Sequence, residues 1–244
     1  MNKKIMGVNV NYNFYNSGKE TTLVLLHGWG QNIEMMEPIG RTFLDKYNVL
    51  IIDLPGFGKS SEPPAVWGVY EYTLFVRKLI QELKIKDVIL IGHSFGGRVA
   101  LVYAAEYHVE KLVCLASPYC RELTKLPLKN RIYKKAKKIK WLSWLAKIMQ
   151  NKVGSDDYKK ASEIMRGVLV KTVNTNLSDY AKKISAPTLL IWGSLDEAVP
   201  VKRAYELEKL IKDAGVVVYE GATHYAYLER INDVILVLNN FFSH

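Results

Sequence analysis

Short, largely apolar runs alternate with amphipathic stretches along most of this chain. Runs at 22–26, 47–53, 88–91, 111–116, 187–192 and 216–219 are rich in leucine, isoleucine and valine and are four to seven residues long. Runs this short, apolar at successive positions, suit strands covered on both faces. Between them lie segments with apolar residues every three or four positions, which predict helices over 70–83, 95–107, 201–211 and about 225–242. The segment 8–14 alternates valine and aromatic residues with asparagine, the pattern of an antiparallel strand at a sheet edge. Strand and helix in strict alternation imply a mostly parallel sheet with helices on both sides. There is no internal repeat and no low-complexity linker.

Ligands of such sheets gather at the carboxyl ends of the strands, and the candidate chemistry falls there. Gly92-His93-Ser94-Phe95-Gly96 joins the 88–91 run to the small-residue stretch that opens the next helix. A G-x-S-x-G segment between strand and helix is a nucleophile elbow: the glycines leave room for a sharp turn, and the serine hydroxyl projects above the sheet edge. A serine hydroxyl at its free pKa is a weak nucleophile and needs a base within hydrogen-bond reach. Histidine serves because its unperturbed pKa lies near working pH, and His224 follows the 216–219 run. The carboxylate that would fix its tautomer lies in Gly193-Ser194-Leu195-Asp196-Glu197-Ala198-Val199-Pro200, where the G-x-x-D-x-x-x-P spacing favours Asp196 over its neighbour Glu197. The end of the 111–116 run, Ala116-Ser117-Pro118-Tyr119, carries no alternative carboxylate. Ser94, Asp196 and His224 thus occur in the chain order expected downstream of such an elbow.

On these residues the chain resembles the α/β-hydrolase superfamily, in particular its small bacterial serine-triad branch with a helical cap. The resemblance covers nearly all of the chain outside one insertion. His27-Gly28 after the first long strand is similar to that family's oxyanion loop. The resemblance implies that the backbone N–H groups of Trp29 and Phe95 form the oxyanion hole. Asp53-Leu54-Pro55-Gly56-Phe57-Gly58-Lys59-Ser60 is similar to a structural signature of the family and is expected to shape a turn without carrying chemistry. Of the remaining histidines, His27 is expected to order its loop through backbone hydrogen bonds, His93 to pack beside the elbow, and His108 and His244 to be exposed.

Charge locates the insertion. The whole formal excess of +10 over 244 residues resides in 121–152, where eleven basic residues face one acid, Glu122. A composition shift that sharp marks a boundary. The expected organisation is a core in two parts, 1–119 and 183–244, interrupted by a basic helical cap, 120–182. Within the cap Ile132, Ala136, Ile139, Leu142, Leu145 or Ala146, and Met149 form one apolar stripe at helical spacing. Leu142, Ile139 and Trp144 from the cap, with Tyr225 beside His224, are the expected substrate-contacting residues. Lysines on the other cap faces are solvated; they could steer an anionic ligand or, with Trp141 and Trp144, rest on an anionic membrane surface. Basic charge confined to one element, without a reading motif, gives no support for nucleic-acid binding.

The remaining composition excludes more than it adds. Apolar residues at 49% and charged residues at 24% are ordinary for a globular protein. No apolar run approaches the roughly 18 residues of a membrane span. The two cysteines, Cys114 and Cys120, give neither a disulfide framework nor metal spacing. Gly56-Phe57-Gly58 lacks the third glycine of a dinucleotide fingerprint. The expectation is therefore a cytoplasmic enzyme without metal or cofactor that cleaves a small to medium carboxylic ester through an acyl-enzyme. Two alternatives stay open. Ser94-Phe95-Gly96-Gly97-Arg98 is similar to the elbow of the menaquinone-pathway synthase, an anion-binding lyase. Some hormone receptors of this fold retain the triad and only bind ligand.

Overall fold

The computed structural model describes residues 1–121 and 161–243. Eight strands form one sheet: β1 (Asn2–Ile5), β2 (Val8–Tyr15), β3 (Thr21–Leu26), β4 (Asn48–Ile52), β5 (Asp87–His93), β6 (Lys111–Leu115), β7 (Thr188–Gly193) and β8 (Ala214–Tyr219). Their spatial order is β1-β2-β4-β3-β5-β6-β7-β8. β1 and β2 pair antiparallel with their neighbours, and every pairing from β4 to β8 is parallel. Each apolar run of the sequence lies on one of these strands. The alternating segment 8–14 is indeed antiparallel, but it is not the edge. Residues 2–5 pair with it outside, a strand too short and too polar, Asn-Lys-Lys-Ile, to register as a hydrophobic run.

Side chains alternate across the sheet, so consecutive apolar residues feed two separate cores. Val24 and Leu26 of β3, Leu50 and Ile52 of β4, and Leu90 of β5 face α2 (Val69–Glu82) and α3 (Phe95–Glu106). Leu23, Leu25, Val49, Ile51, Ile89 and Ile91 face the other way, onto α1 (Glu37–Thr42) and the C-terminal helix. All of these side chains are at most 3% exposed, so each stabilises the fold by about 1.5–3 kcal/mol. β8, an edge strand, is only half-buried, whereas every residue of β4 and β7 is buried.

The helix expected over about 225–242 is two helices, which we call α7 (Ala226–Glu229) and α8 (Ile231–Ser243); Arg230 between them has non-helical dihedrals (φ −122°, ψ 38°). The helix expected over 201–211 is shorter, Lys202–Glu208 (α6). Glu37–Thr42 is a helix the periodicity did not announce. It is six residues long, begins with Pro at its first turn and buries only Ile39 and Gly40.

Part of the expected cap is described. Glu163–Asn174 (α4) and Ser178–Ala181 (α5) lie within it. Ser162 caps α4 by accepting from Met165 N–H at 3.1 Å. Met165 is buried against Gly56, and Gly167 lies against Val66. The two chain segments at the base of the insertion run together: Leu177 N–H donates to the Tyr119 carbonyl at 2.7 Å. Arg98 of α3, 3% exposed, donates to the carbonyls of Pro118, Thr172 and Thr175, and so holds both segments to the helix that follows Ser94. The apolar stripe of 132–149, including Ile139, Leu142 and Trp144, lies outside the described residues, as does His244. Among the described residues no helix is long and apolar enough to cross a membrane.

Candidate active site

Parallel register brings the strand ends level. Leu26 stands opposite Gly92, His93 opposite Leu115, Leu115 opposite Ile191, and Gly193 opposite Tyr219. The turns that leave these positions carry His27-Gly28-Trp29, Ser94, Asp196 and His224, so residues far apart in sequence meet along one edge.

Ser94 occupies φ 49°, ψ −109°, a region that L residues rarely adopt. Strain of this kind costs roughly 1–3 kcal/mol and persists only where the surroundings over-determine it. Here they do. Ser94 N–H donates to the Leu115 carbonyl at 2.9 Å and Gly96 N–H to the His27 carbonyl at 3.1 Å. A Cβ on Gly92 would stand 2.6 Å from the Gly96 carbonyl oxygen, and one on Gly96 would strike the Leu26 carbonyl. The glycines of the elbow are therefore demanded by close backbone approach.

Asp196 and His224 are brought together. His224 Nδ1 lies 2.8 Å from Asp196 Oδ2, and the Asp196 side chain has no exposure. The other oxygen, Oδ1, accepts from the N–H groups of Ala198 at 2.9 Å and Val199 at 2.8 Å. A carboxylate so supplied accepts only, so His224 Nδ1 carries the proton and Nε2 is left with its lone pair. Glu197, the competing acid, is exposed. The acid and base loops are laced directly: Leu195 N–H donates to the Ala222 carbonyl and Gly221 N–H to Ser194 Oγ, both at 2.9 Å. Glu229 accepts from Thr223 N–H at 2.8 Å and from its hydroxyl, bracing the residue before His224.

Ser94 is partly exposed and forms no side-chain hydrogen bond among the described residues, to His224 included. Its neighbour His93 is nevertheless close to the base, with ring centroids 4.9 Å apart. Trp29 and Phe95 meet edge to face at 5.5 Å between ring centroids, and neither backbone N–H donates to an acceptor among the described residues. Phe57 packs edge-on against Trp29 at 4.8 Å. Tyr225 is 41% exposed, with its ring 5.6 Å from that of His224.

His27 orders the Gly28 loop as expected. Its Nδ1–H donates to the Gly28 carbonyl at 2.7 Å, and its Nε2 accepts from Leu54 N–H at 3.0 Å. Burial lowers its pKa to about 4, so it stays neutral. Asp53 shapes the following turn by accepting from Ile33 N–H, Lys59 N–H and Asn11 Nδ2 at 2.7–2.8 Å. His108 is exposed beside Glu110. Two residues have more to do than the sequence showed. Gln31 accepts from Gly28 N–H at 2.8 Å, and His93 touches both Gln31 and the His224 loop. Gln31 stands three residues after Gly28, the spacing of a turn-closing side chain. His93 offers no signal beyond its place next to the serine. Among the described residues no group of three or more His, Cys, Asp or Glu could hold a metal ion.

Comparison with known proteins agrees with this architecture. A family model described as alpha/beta hydrolase fold matches residues 21–137 and 122–231, and the chain belongs to that family. It is 23% identical to a pimeloyl-[acyl-carrier protein] methyl ester esterase of Aliivibrio fischeri (strain MJ11), over 93% of this chain and 95% of the relative. Among solved structures it superposes on the enol-lactonase of Burkholderia xenovorans LB400 with a TM-score of 0.80 at 20% identity, covering both chains fully. An esterase from Exiguobacterium antarcticum gives 0.76 at 20% identity, again with full coverage of both chains.

Proposed function

We propose that this chain is a serine carboxylic ester hydrolase acting on a small to medium ester through an acyl-enzyme. The chain is an enzyme of the hydrolase class, and its relatives and structural neighbours include proteins named as esterases and a lactonase. The observation that carries the mechanism is buried Asp196 paired with half-buried His224, on the same sheet edge as a strained Ser94. In this reading Ser94 Oγ attacks the acyl carbon while His224 Nε2 takes its proton. Asp196 holds the imidazole in that tautomer and stabilises the imidazolium. The free N–H groups of Trp29 and Phe95 receive the oxyanion; one such donor contributes about 3 kcal/mol to the barrier reduction. His224 then protonates the leaving alcohol and activates water for deacylation. No cofactor enters this scheme.

Against a lyase of the menaquinone-synthase type stands the use made of Arg98. Its terminal nitrogens are on the carbonyls of Pro118, Thr172 and Thr175 rather than turned to an anionic substrate. A receptor that retains the triad would bind esters without turnover. A panel of chromogenic esters from acetate to palmitate decides among the three: steady turnover is the expected result, and its absence across the panel sinks the hydrolase reading.

In this reading the segment 120–182 selects the substrate, and it does so through apolar residues such as Ile139 and Leu142 rather than through its lysines. Leu142→Asp or Ile139→Asp should shift ester-chain preference. Lys134→Glu with Lys138→Glu should leave neutral-ester kinetics nearly unchanged, because solvated lysines act mainly at long range. An equal KM rise from the lysine pair would contradict this assignment. Contact of the basic face with an anionic membrane would appear as co-sedimentation with phosphatidylglycerol vesicles that the same lysine pair abolishes.

A further inference from the structure

We propose that His93, the residue before the nucleophile, is a positioning residue that fixes the main chain of His224 and braces the Gly28–Trp29 loop with the same ring. The proposal rests on the reading of His224 as the base and adds a second anchor for it.

His93 is 1% exposed at the end of β5. Its two ring nitrogens face oxygen atoms on different loops. Nε2 lies 3.1 Å from the His224 carbonyl oxygen, and Nδ1 lies 3.1 Å from Gln31 Oε1. The ring is walled by His224, Tyr225 and Tyr227, with centroids 4.9, 5.5 and 4.7 Å away. On its other side the Gly28 loop is so near that a Cβ on Gly28 would stand 2.8 Å from Nδ1.

A neutral imidazole has one N–H to give. Burial and the adjacent His224 keep this ring neutral, with a pKa lowered to about 3, so two acceptors compete for one proton. The competition has a clear outcome. Gln31 Oε1 already accepts from Gly28 N–H at 2.8 Å. The His224 carbonyl accepts no other hydrogen bond among the described residues. An unsatisfied carbonyl beside a buried ring is the costlier loss, so the proton sits on Nε2 and bonds the His224 carbonyl. Nδ1 then turns its lone pair to Gln31 Oε1, so the contact on that side is steric and contributes no hydrogen bond.

His224 is then held at two points, its side chain by Asp196 and its main chain by His93. With both in place the Cα–Cβ bond and the ring plane are set, and Nε2 has one direction to point. Without His93 the His224 carbonyl has no partner among the described residues, and the main chain there is held only through its neighbours Thr223 and Tyr225. The His93 ring also abuts the loop whose Trp29 N–H we assign to the oxyanion hole, so base and oxyanion donor share one brace.

Two variants separate the arms, because the glutamine amide reaches the place of Nε2 and the asparagine amide only that of Nδ1. On p-nitrophenyl butyrate, His93→Asn should lower kcat by about tenfold to a hundredfold with KM within about twofold, the effect of a misplaced base rather than a lost binding contact. His93→Gln should recover most of that loss. The His224 Nδ1 proton, visible far downfield by NMR, should stay sharp in the glutamine variant and broaden in the asparagine variant. Thermal unfolding confirms that each variant is folded, and if the asparagine variant is not, the glutamine variant carries the test. A glutamine variant with kcat more than about tenfold below the parent overturns the proposal. So do equal rates in both variants, or a better rate for asparagine. Failure of the underlying reading looks different: His224→Gln would then retain activity whatever His93 does.

Discussion

Replacing Asp196 by asparagine probes the proposed base through a choice that the structure forces on the amide. Asp196 Oδ1 receives two backbone N–H groups, from Ala198 and Val199, and Oδ2 faces His224 Nδ1. An asparagine must present its oxygen to one side and its NH₂ to the other. With NH₂ toward the backbone, the buried Val199 N–H loses its acceptor at about 1–3 kcal/mol, and the half-buried Ala198 N–H loses its own at a smaller cost. With NH₂ toward His224, only one bond changes, and Nδ1 must now accept. The second arrangement is favoured by roughly 1–3 kcal/mol or somewhat more and drives the imidazole proton onto Nε2, the atom that has to act as base. The same inversion in a serine triad lowers kcat by about 10⁴-fold, or close to 5 kcal/mol of barrier. Steady-state hydrolysis of p-nitrophenyl butyrate by Asp196→Asn should fall by that order with little change in melting temperature. Glu197→Gln, an exposed side chain, serves as control and should stay within about twofold. If Asp196→Asn retains more than about a tenth of the parent rate, the assignment of the acid and the tautomer argument both fail.

Three further outcomes follow from the same contacts. Stability should fall on acidification. His27 and His93 have folded pKa values near 4 and 3 against 6.5 when free, so the unfolded chain binds more protons below about pH 6.5. Their contribution is fully present above that pH, and with both titrating the slope approaches that of two protons per pH unit between roughly pH 5.5 and 4.5; urea titrations at pH 7 and 4.5 that give equal stabilities would contradict it. Arg98→Met should cost about 2–4 kcal/mol in urea unfolding, because the Pro118 and Thr175 carbonyls lose their donor, whereas Thr172's still accepts from Thr175 N–H; a loss under about 0.5 kcal/mol would mean the clamp is not formed. Gly96→Ala should destabilise the elbow and depress kcat together, since a Cβ there meets the Leu26 carbonyl; parent-like activity and melting temperature would show that the approach is looser than described.

The sheet was legible because its strands are buried on both faces and so write themselves as unbroken apolar runs. Ser94, Asp196 and His224 could be picked out as candidates because each sits in a turn whose glycines and chain order are constrained. Elements without a hydrophobic signature were not. Asn2–Ile5 is polar and exposed along most of its length, and Glu37–Thr42 is too short for a helical period to show. The break at Arg230 was hidden because apolar residues continue across it at nearly helical spacing. His93 and Gln31 illustrate a different limit. Their partners, the His224 carbonyl and Gly28 N–H, are backbone groups, and a backbone partner leaves no mark on the residue sequence.

The central claim is that Ser94 is the acylated nucleophile, and covalent labelling tests it most directly. A fluorophosphonate should modify the protein at one equivalent, with the adduct on the peptide containing Ser94 by mass spectrometry. Ser94→Ala should take no label and should lose kcat on an active ester by on the order of a thousandfold or more. Label on another residue, or ester turnover undiminished in Ser94→Ala, would contradict the account.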